Sequence, residues 1–354
     1  MRWSSISNGR ICEIVSVLRS LLLPLLAGLL GLAACSPADP AVALLEDYRG
    51  RVLRTLEGAP GPAPQAAPVP WPRTRARRLE VPAQRADLVE FLRLQDCGLG
   101  ALVGNRASSL GRVMRPPERL RYEYAFLEEG ARCRQRLDPD EDDEARAFLD
   151  ETLAAKRAAL GAVVWNATLG SDALATHHAL DLAGLDPAAV RGAGATATNA
   201  VHGLADRALG RVDAQAGDWS APWQVLEGSR FGGRLRRSLE VLAVQLDAVA
   251  DALAAGAPCP LGRPTERGRI LENVFRRFYV AGVQPYLAAV DREATAWTDA
   301  LDRLAAAQRV PVPEALAPDP ARRSLERMRR ARDRHTEAWQ AVLGDCGLGP
   351  GGTP

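Results

Sequence analysis

The sequence lacks the pattern of a β-sheet protein and two common active-site motifs. Alternation of β-branched and polar residues, which is typical of strands, is nearly absent. There is no Cys-x-x-Cys pair, which argues against a four-cysteine zinc site. There is also no Gly-x-Ser-x-Gly elbow, which argues against an α/β-hydrolase. These absences favour a helical protein without a recognisable catalytic centre.

Histidine is scarce, and its placement does not favour metal binding. The four histidines are His177, His178, His202 and His335. Neighbouring residues on a helix point about 100° apart, so His177 and His178 do not share a face. A metal site would need ligands from distant parts of the chain. We therefore predict no metal and no cofactor.

Lysine is nearly missing, since Lys156 is the only one among 45 basic residues. Removal of residues 1–34 takes away three arginines and one glutamate, which leaves 42 basic and 42 acidic residues from the original 45 and 43. A nucleic-acid-binding protein favours a basic face, so no nucleic-acid partner is predicted. The arginines at 73–78 and the acidic run at 138–144 are expected to be solvated surface. The acidic run is also a weak Ca²⁺ candidate, without the glycine and spacing of a calcium loop.

The N-terminus has the three parts of a secretory signal. Arg2, Arg10 and Arg19 precede an apolar run at 21–32, and small residues follow it. A basic start, about a dozen apolar residues and a small-residue cleavage site make up a signal peptide. A membrane-spanning helix needs about 20 apolar residues, which is more than this run offers. We predict a signal peptide over residues 1–34.

The signal ends in Leu-Ala-Ala-Cys at 32–35, which resembles the bacterial lipobox. In that motif the cysteine thiol accepts diacylglycerol before the peptidase cuts in front of it. Stable membrane attachment needs more than one acyl chain, as lipidated N-terminal cysteines have. Ser36 follows Cys35, and by resemblance to lipoprotein sorting rules a residue other than aspartate favours the outer membrane. We expect lipid on Cys35 to attach the chain to the outer membrane, facing the periplasm.

Four cysteines remain once the leader is removed and Cys35 is acylated. An even number in an oxidising compartment predicts two disulfide bonds. Three pairings are possible. We favour Cys97 with Cys133 and Cys259 with Cys346, because each pair encloses one helical block. A zinc site is the alternative.

The signal peptide and the proline-rich stretch divide the sequence into three parts. Residues 1–34 are the signal peptide. Residues 35–82 are predicted to hold the lipidated N-terminus, a short helix at 41–57 and a proline-rich spacer at 59–73, which is stiff because its prolines favour a polyproline II conformation. Residues 83–354 are predicted to form a helical domain.

After the spacer, strong helix formers dominate the sequence. Apolar residues recur in steps of three and four over 235–253 and over 287–304, which suits packed bundle helices. Pro285 is expected to kink or break the chain before the second run. We expect a looser insertion at 183–220 and a last helix near 320–344. The predicted fold is all-α, an irregular helical bundle stapled by disulfides.

Three segments mix aromatic residues with polar ones that are mostly poor choices for a helix interior. They are Asn-Arg-Ala-Ser-Ser-Leu-Gly at 105–111, Trp-Asn-Ala-Thr-Leu at 165–169, and Asn-Val-Phe-Arg-Arg-Phe-Tyr at 273–279 followed by Val-Gln-Pro-Tyr-Leu at 283–287. The candidate site residues are Asn105, Arg106, Ser108, Ser109, Trp165, Asn166, Asn273, Tyr279, Gln284 and Tyr286. They are interpreted either as a satisfied polar network joining three helical segments or as the lining of a ligand pocket.

These segments, in this order after a lipobox, resemble a family of proteobacterial lipoproteins known as domain of unknown function number three thousand and eighty. The resemblance extends from about Tyr48 to Cys346. It implies a helical envelope lipoprotein, and it implies no particular activity.

Three functions are compatible with the sequence. The leading hypothesis is a non-enzymatic interaction or scaffold component at the periplasmic face of the outer membrane, with an envelope protein as possible partner and no catalytic residue. The second is a periplasmic protein that binds a small molecule or lipid through Asn105, Arg106, Trp165 and Tyr286. The third is an envelope hydrolase. A filled core with an exposed apolar patch favours the first, and a concave polar pocket favours the second.

Overall fold

The structure is a computed structural model that describes residues 39–58, 71–82, 94, 97–181, 183–313, 316 and 319–349. The predicted signal peptide, Cys35 and most of the proline-rich stretch lie outside these residues. The helices are α1 Pro40–Thr55, α2 Thr74–Arg77, α3 Leu99–Ala107, α4 Ser109–Arg112, α5 Pro116–Arg136, α6 Asp143–Ala167, α7 Asp172–His178, α8 Ala195–Ala208, α9 Ala221–Glu227, α10 Phe231–Ala255, α11 Glu266–Val274, α12 Gln284–Ala306 and α13 Pro320–Asp345, with a π-helical segment Phe275–Val283 between α11 and α12. No strand occurs in this part of the chain, so the all-α prediction is confirmed.

The main core forms around α10, which packs along α13 and also contacts α1, α7 and α12. The two heptad runs supply much of it. Their buried members are Leu235, Leu239, Leu242, Leu246, Val249 and Leu253 on α10, and Leu287, Val290, Ala294, Trp297, Leu301 and Leu304 on α12. Burying one large aliphatic side chain stabilises a fold by about 1.5–3 kcal/mol. The predicted stripes are therefore the packed faces of two bundle helices.

Helix α1 belongs to this bundle. Leu45, Tyr48 and Val52 are buried in the main core, and the compact unit extends from Pro40 to the C-terminus. The sequence predicted this helix correctly but placed it before the helical domain, which was expected to begin at residue 83. Burial of its apolar face makes it the first helix of that domain.

Pro285 does not end the helix that contains it. The chain stays helical from Glu266 to Ala306, so of the predicted kink or break the break is wrong, and the kink stays a prediction. The amide of Gln284 donates to the carbonyl of Tyr279, five residues back. A proline inside an α-helix clashes with the carbonyl four residues before it. Pro285 lies in the first turn of α12, directly after the π-helical segment, where hydrogen bonds five residues apart replace the α-helical pattern.

The segment 183–220 is also more ordered than expected. Helix α8 occupies its centre, buries Val201 and Leu204, and packs against α9 and α12. Alanine-rich composition allows this close packing, because small side chains let helices approach. The predicted last helix near 320–344 is confirmed by α13.

Both predicted disulfide bonds are present. Cys97 and Cys133 have Cα atoms 5.3 Å apart, and Cys259 and Cys346 have Cα atoms 5.2 Å apart. The first bond lies in a second, smaller core formed by α3, α5 and α6. The second bond joins the turn after α10 to the end of α13.

Within the part of the chain that the structure describes, no helix combines the length and the apolar content needed to cross a bilayer.

Candidate functional site

The first polar segment, 105–111, spans the end of α3, the turn at Ser108 and the beginning of α4, and its residues other than Arg106 and Gly111 are exposed. The Ser108 hydroxyl donates to the Asn105 carbonyl at 2.7 Å and accepts from the Gly111 amide at 3.0 Å, which caps α4. The Arg106 guanidinium donates to the Gly111 carbonyl at 2.5 Å. A Cβ at Gly111 would lie 2.1 Å from the Asn105 carbonyl oxygen, so this close approach requires glycine. The polar residues of this segment hold a turn together.

This turn displays two apolar side chains to solvent. Leu110 is 81% exposed and Val113, just after α4, is 75% exposed. Scattered exposed apolar residues are normal, but two of them three positions apart on a turn fixed by its own hydrogen bonds form a defined feature. We call residues 105–113 the tip.

The second polar segment fastens residues 71–82, which we call the strap and which contain the single-turn helix α2 between two non-helical stretches. The Trp165 indole donates to the Arg77 carbonyl at 2.7 Å. Asn166 makes a paired contact with one strap residue, because its carbonyl accepts from the Leu79 amide at 2.9 Å and its NH₂ donates to the Leu79 carbonyl at 2.8 Å. Beyond the turn of α2, the strap has no regular secondary structure, and these side chains supply partners for its backbone groups.

Arg77 makes a further contact between the strap and the bundle. It is buried, although the arginines at 73–78 were expected to be solvated. Its guanidinium donates to the Pro72 carbonyl at 2.5 Å and to Asp172 at 2.7 Å. Burial lowers the pKa of Arg77, and the Asp172 carboxylate opposes that shift. The strap is thus attached by one buried charge and three side-chain contacts to its backbone.

Replacing Asn166 by alanine is expected to loosen the strap without unfolding the bundle. The exchange leaves the amide and the carbonyl of Leu79 without partners, and each unsatisfied group costs about 1–3 kcal/mol. Hydrogen exchange at the Leu79 amide should accelerate while exchange in α10 stays unchanged. Asn273→Ala, at an exposed asparagine, is the control. Unchanged exchange at Leu79 would contradict this role for Asn166.

The third polar segment is divided between solvent and core. Asn273 and Gln284 are exposed. The buried Tyr286 hydroxyl donates to the Leu185 carbonyl at 3.1 Å. Tyr279 is buried in an aromatic cluster, with its ring centroid 5.6 Å from that of Tyr48 and 4.5 Å from that of His335. Tyr286 therefore helps to hold α12 in the core, and Tyr279 lies at the contact between α1 and α13.

The candidate residues are therefore attached to different parts of the fold. Asn105, Arg106, Ser108 and Ser109 belong to the tip, and Trp165 with Asn166 belongs to the strap contact. Tyr279 and Tyr286 have separate partners in the core. The structure shows no hydrogen bond between these groups among its described residues.

Lys156 is a feature that the sequence interpretation missed. It is buried, and its ammonium donates to Glu123 at 2.8 Å and lies 4.3 Å from the centre of the Phe126 ring. Arg119 donates to the same carboxylate at 2.5 Å. Burial lowers the pKa of Lys156, and Glu123 opposes that shift. The sequence did carry one sign of its importance, because Lys156 is the only lysine in an arginine-rich chain.

The acidic run is a turn before α6. The Asp138 carboxylate accepts from the amides of Asp140 and Glu141, at 2.8 and 3.2 Å, and these hydrogen bonds lower its pKa. The run is thereby used for local structure. Where side chains are described, no three His, Cys, Asp or Glu residues gather as metal ligands.

Comparison with known proteins places the chain in a family. The family model described as Protein of unknown function (DUF3080) matches residues 45–350. No curated protein matches the chain, and no solved structure does. The match covers the bundle, the strap and the tip, including all three polar segments. The chain therefore belongs to the DUF3080 family.

Proposed function

We propose that the chain is a lipid-anchored protein of the cell envelope that acts as an interaction component at the periplasmic face of the outer membrane. Its partner is another envelope protein, which contacts the tip. The observation that carries the proposal is the exposed pair Leu110 and Val113 on a turn that hydrogen bonds of Ser108 and Arg106 hold in place.

The compartment is supported by two features of different origin. The lipobox at Cys35 follows a signal-like sequence. The two disulfide bonds suit an oxidising compartment such as the periplasm, since reducing cytosol disfavours them.

The anchor would keep the bundle close to the membrane. Helix α1 begins at Pro40, so residues 36–39 alone link Cys35 to the first packed helix. An extended chain reaches at most about 3.3–3.6 Å per residue, which limits this link to roughly 18 Å. The proline-rich stretch comes later and joins α1 to the strap, both of which pack on the bundle. A partner protein in the same membrane would therefore lie close to the bundle.

The tip offers a small apolar contact rather than a complete interface. Its two exposed side chains suit the centre of a modest interface, which is more apolar than the rim. Its neighbours Asn105, Ser108 and Ser109 are exposed and polar, as in an interface rim.

Site-specific photocrosslinking in intact cells tests this proposal. A photoreactive phenylalanine analogue at position 110 or 113 is expected to give a discrete protein adduct in the envelope fraction. The matched control is position 261, where Leu261 is 77% exposed but lies in the turn between α10 and α11. Adducts of equal yield at all three positions, or adducts with lipid alone at 110 and 113, would contradict a protein partner at the tip.

A further inference from the structure

Arg236, on α10, is a buried cation without hydrogen bonds. Its side chain is 0% exposed, and its Nε, Nη1 and Nη2 atoms all lack a partner. Arg207 shows how the same fold treats another buried arginine. Its guanidinium donates to the carbonyls of Trp219 at 2.6 Å, Gly203 at 3.2 Å and Asp218 at 3.0 Å. The unsatisfied state of Arg236 is therefore not general for buried arginines here.

Glu240, one helical turn after Arg236, is half satisfied. Its Oε1 atom accepts from the Ser324 hydroxyl at 2.6 Å and from the Arg327 guanidinium at 2.8 Å, both on α13. Its Oε2 atom has no partner and is buried. Residues four apart on a helix share a face, so open donors and an open acceptor lie side by side.

Arg236 lies close to the beginning of α13. Asp319 caps that helix and accepts from the Ala321 amide at 2.7 Å. The carboxylates of Glu240 and Asp319 attract the Arg236 charge, while Arg323 and Arg327 repel it. The strap borders this region, because Trp71 stacks on His178 with ring centroids 4.0 Å apart, and His178 Nδ1 lies 3.4 Å from Asp319.

A buried charge without hydrogen bonds is costly, and proteins retain such groups mainly where they have a use. A guanidinium offers five N–H donors in a plane that matches the two oxygens of a carboxylate. The open oxygen of Glu240 calls for a donor on the same ligand. We propose that Arg236 and Glu240 form a binding site for a small organic acid that carries a hydroxyl or ammonium group next to its carboxylate.

The charge balance selects a carboxylate over a phosphate. Arg236 is the unpaired cation of this cluster, and one negative charge neutralises it. A phosphate dianion would add a second negative charge beside Glu240 and Asp319, where like charges repel strongly at low dielectric. Arg327 is already engaged with Glu240 and so contributes less to an incoming anion.

Calorimetric titration of the full disulfide-bonded chain tests the site. The probes are glycolate and glycine, the smallest acids of the proposed kind, with acetate and inorganic phosphate for comparison. Glycolate or glycine is expected to bind roughly 10- to 100-fold more tightly than acetate, because the added donor makes a hydrogen bond to a charged acceptor. Binding of phosphate more tightly than either acid would overturn the assignment to carboxylates.

Two variants locate the binding at this site. Arg236→Met removes the charge with similar volume, should fold because it buries no unpaired cation, and is expected to weaken glycolate binding by at least about tenfold. Glu240→Gln keeps an acceptor for Ser324 and is expected to bind acetate normally while losing the preference for glycolate. Absence of glycolate and glycine binding to the unmodified chain, or equal binding by R236M, would overturn the proposal.

Discussion

Replacement of both Cys259 and Cys346 by serine is expected to lower the free energy of unfolding by about 4.6 kcal/mol. The bond closes a loop with a sequence separation of 87, and cross-linking restricts the unfolded chain more strongly as the loop grows. It also joins the turn after α10 to the end of α13, so its loss removes the cross-link between the C-terminal ends of these two helices. Urea unfolding under non-reducing conditions measures the effect.

The matched control is the double replacement of Cys97 and Cys133. That bond closes a separation of 36, so the expected loss is about 3.8 kcal/mol. This loss should fall on the smaller core of α3, α5 and α6. Non-reducing peptide mapping of the native chain gives the direct check of the pairing. Four free thiols in the native chain, or cross-linked peptides in another pairing, would contradict it.

Acid is expected to destabilise the fold strongly because burial lowers the pKa of His178 and His335, and also that of His177. Burial lowers the pKa of His335 to about 3. Burial also lowers the pKa of His178 to about 4, and Asp319 partly opposes that shift. Both values lie below the ordinary histidine value of about 6.5, so the unfolded chain binds more protons below that pH. Their contribution is complete above about pH 6.5 and falls as the pH is lowered.

Each histidine removes about 1.4 kcal/mol per pH unit over its window, so the two together remove about 6–7 kcal/mol between pH 6.5 and 4. This is comparable to the whole stability of many domains. Denaturant unfolding at a series of pH values measures the slope.

The hydrogen bonds around His335 explain why its neutral form is required. The Trp339 indole donates to the Tyr48 hydroxyl at 2.8 Å and to His335 Nε2 at 3.1 Å. Tyr48 lies 2.7 Å from the same nitrogen. With Nε2 as the acceptor from Trp339 and Tyr48, the proton of the neutral ring is on Nδ1, which is buried without a hydrogen-bond partner. A second proton on Nε2 would face the Trp339 donor in a buried site.

His335→Gln separates this effect from general acid damage. Glutamine retains an acceptor for the Trp339 indole and does not titrate. The variant should match the unmodified chain in slope above pH 7, and between pH 6.5 and 4 its slope should be smaller by about 1.4 kcal/mol per pH unit. An unchanged slope in that window would contradict the assignment to His335.

The sequence predicted the parts of the fold that depend on apolar periodicity. Each of the apolar runs on α10 and α12 predicted one buried face, and both faces are buried in the structure. It did not predict that α1 packs in the bundle or that the chain passes Pro285 without a break. The first depends on which surface remains to be covered, and the second on a local π turn with no strong sequence signature.

The polar segments were harder to interpret for a different physical reason. Trp165 and Asn166 bind the backbone of Arg77 and Leu79, and backbone groups leave no mark in a sequence. Arg236 and Glu240 were missed because a charged residue beside a heptad stripe ordinarily faces water. Here α13 packs so closely along α10 that these two positions are buried as well.

Mass spectrometry of the native protein extracted from membranes tests the central proposal most directly. The account predicts an N-terminal peptide that begins at position 35 and whose Cys35 carries diacylglycerol on its sulfur and an acyl group on its nitrogen. A free thiol at Cys35, still joined to residues 1–34 in protein recovered from the cytosol, would contradict it.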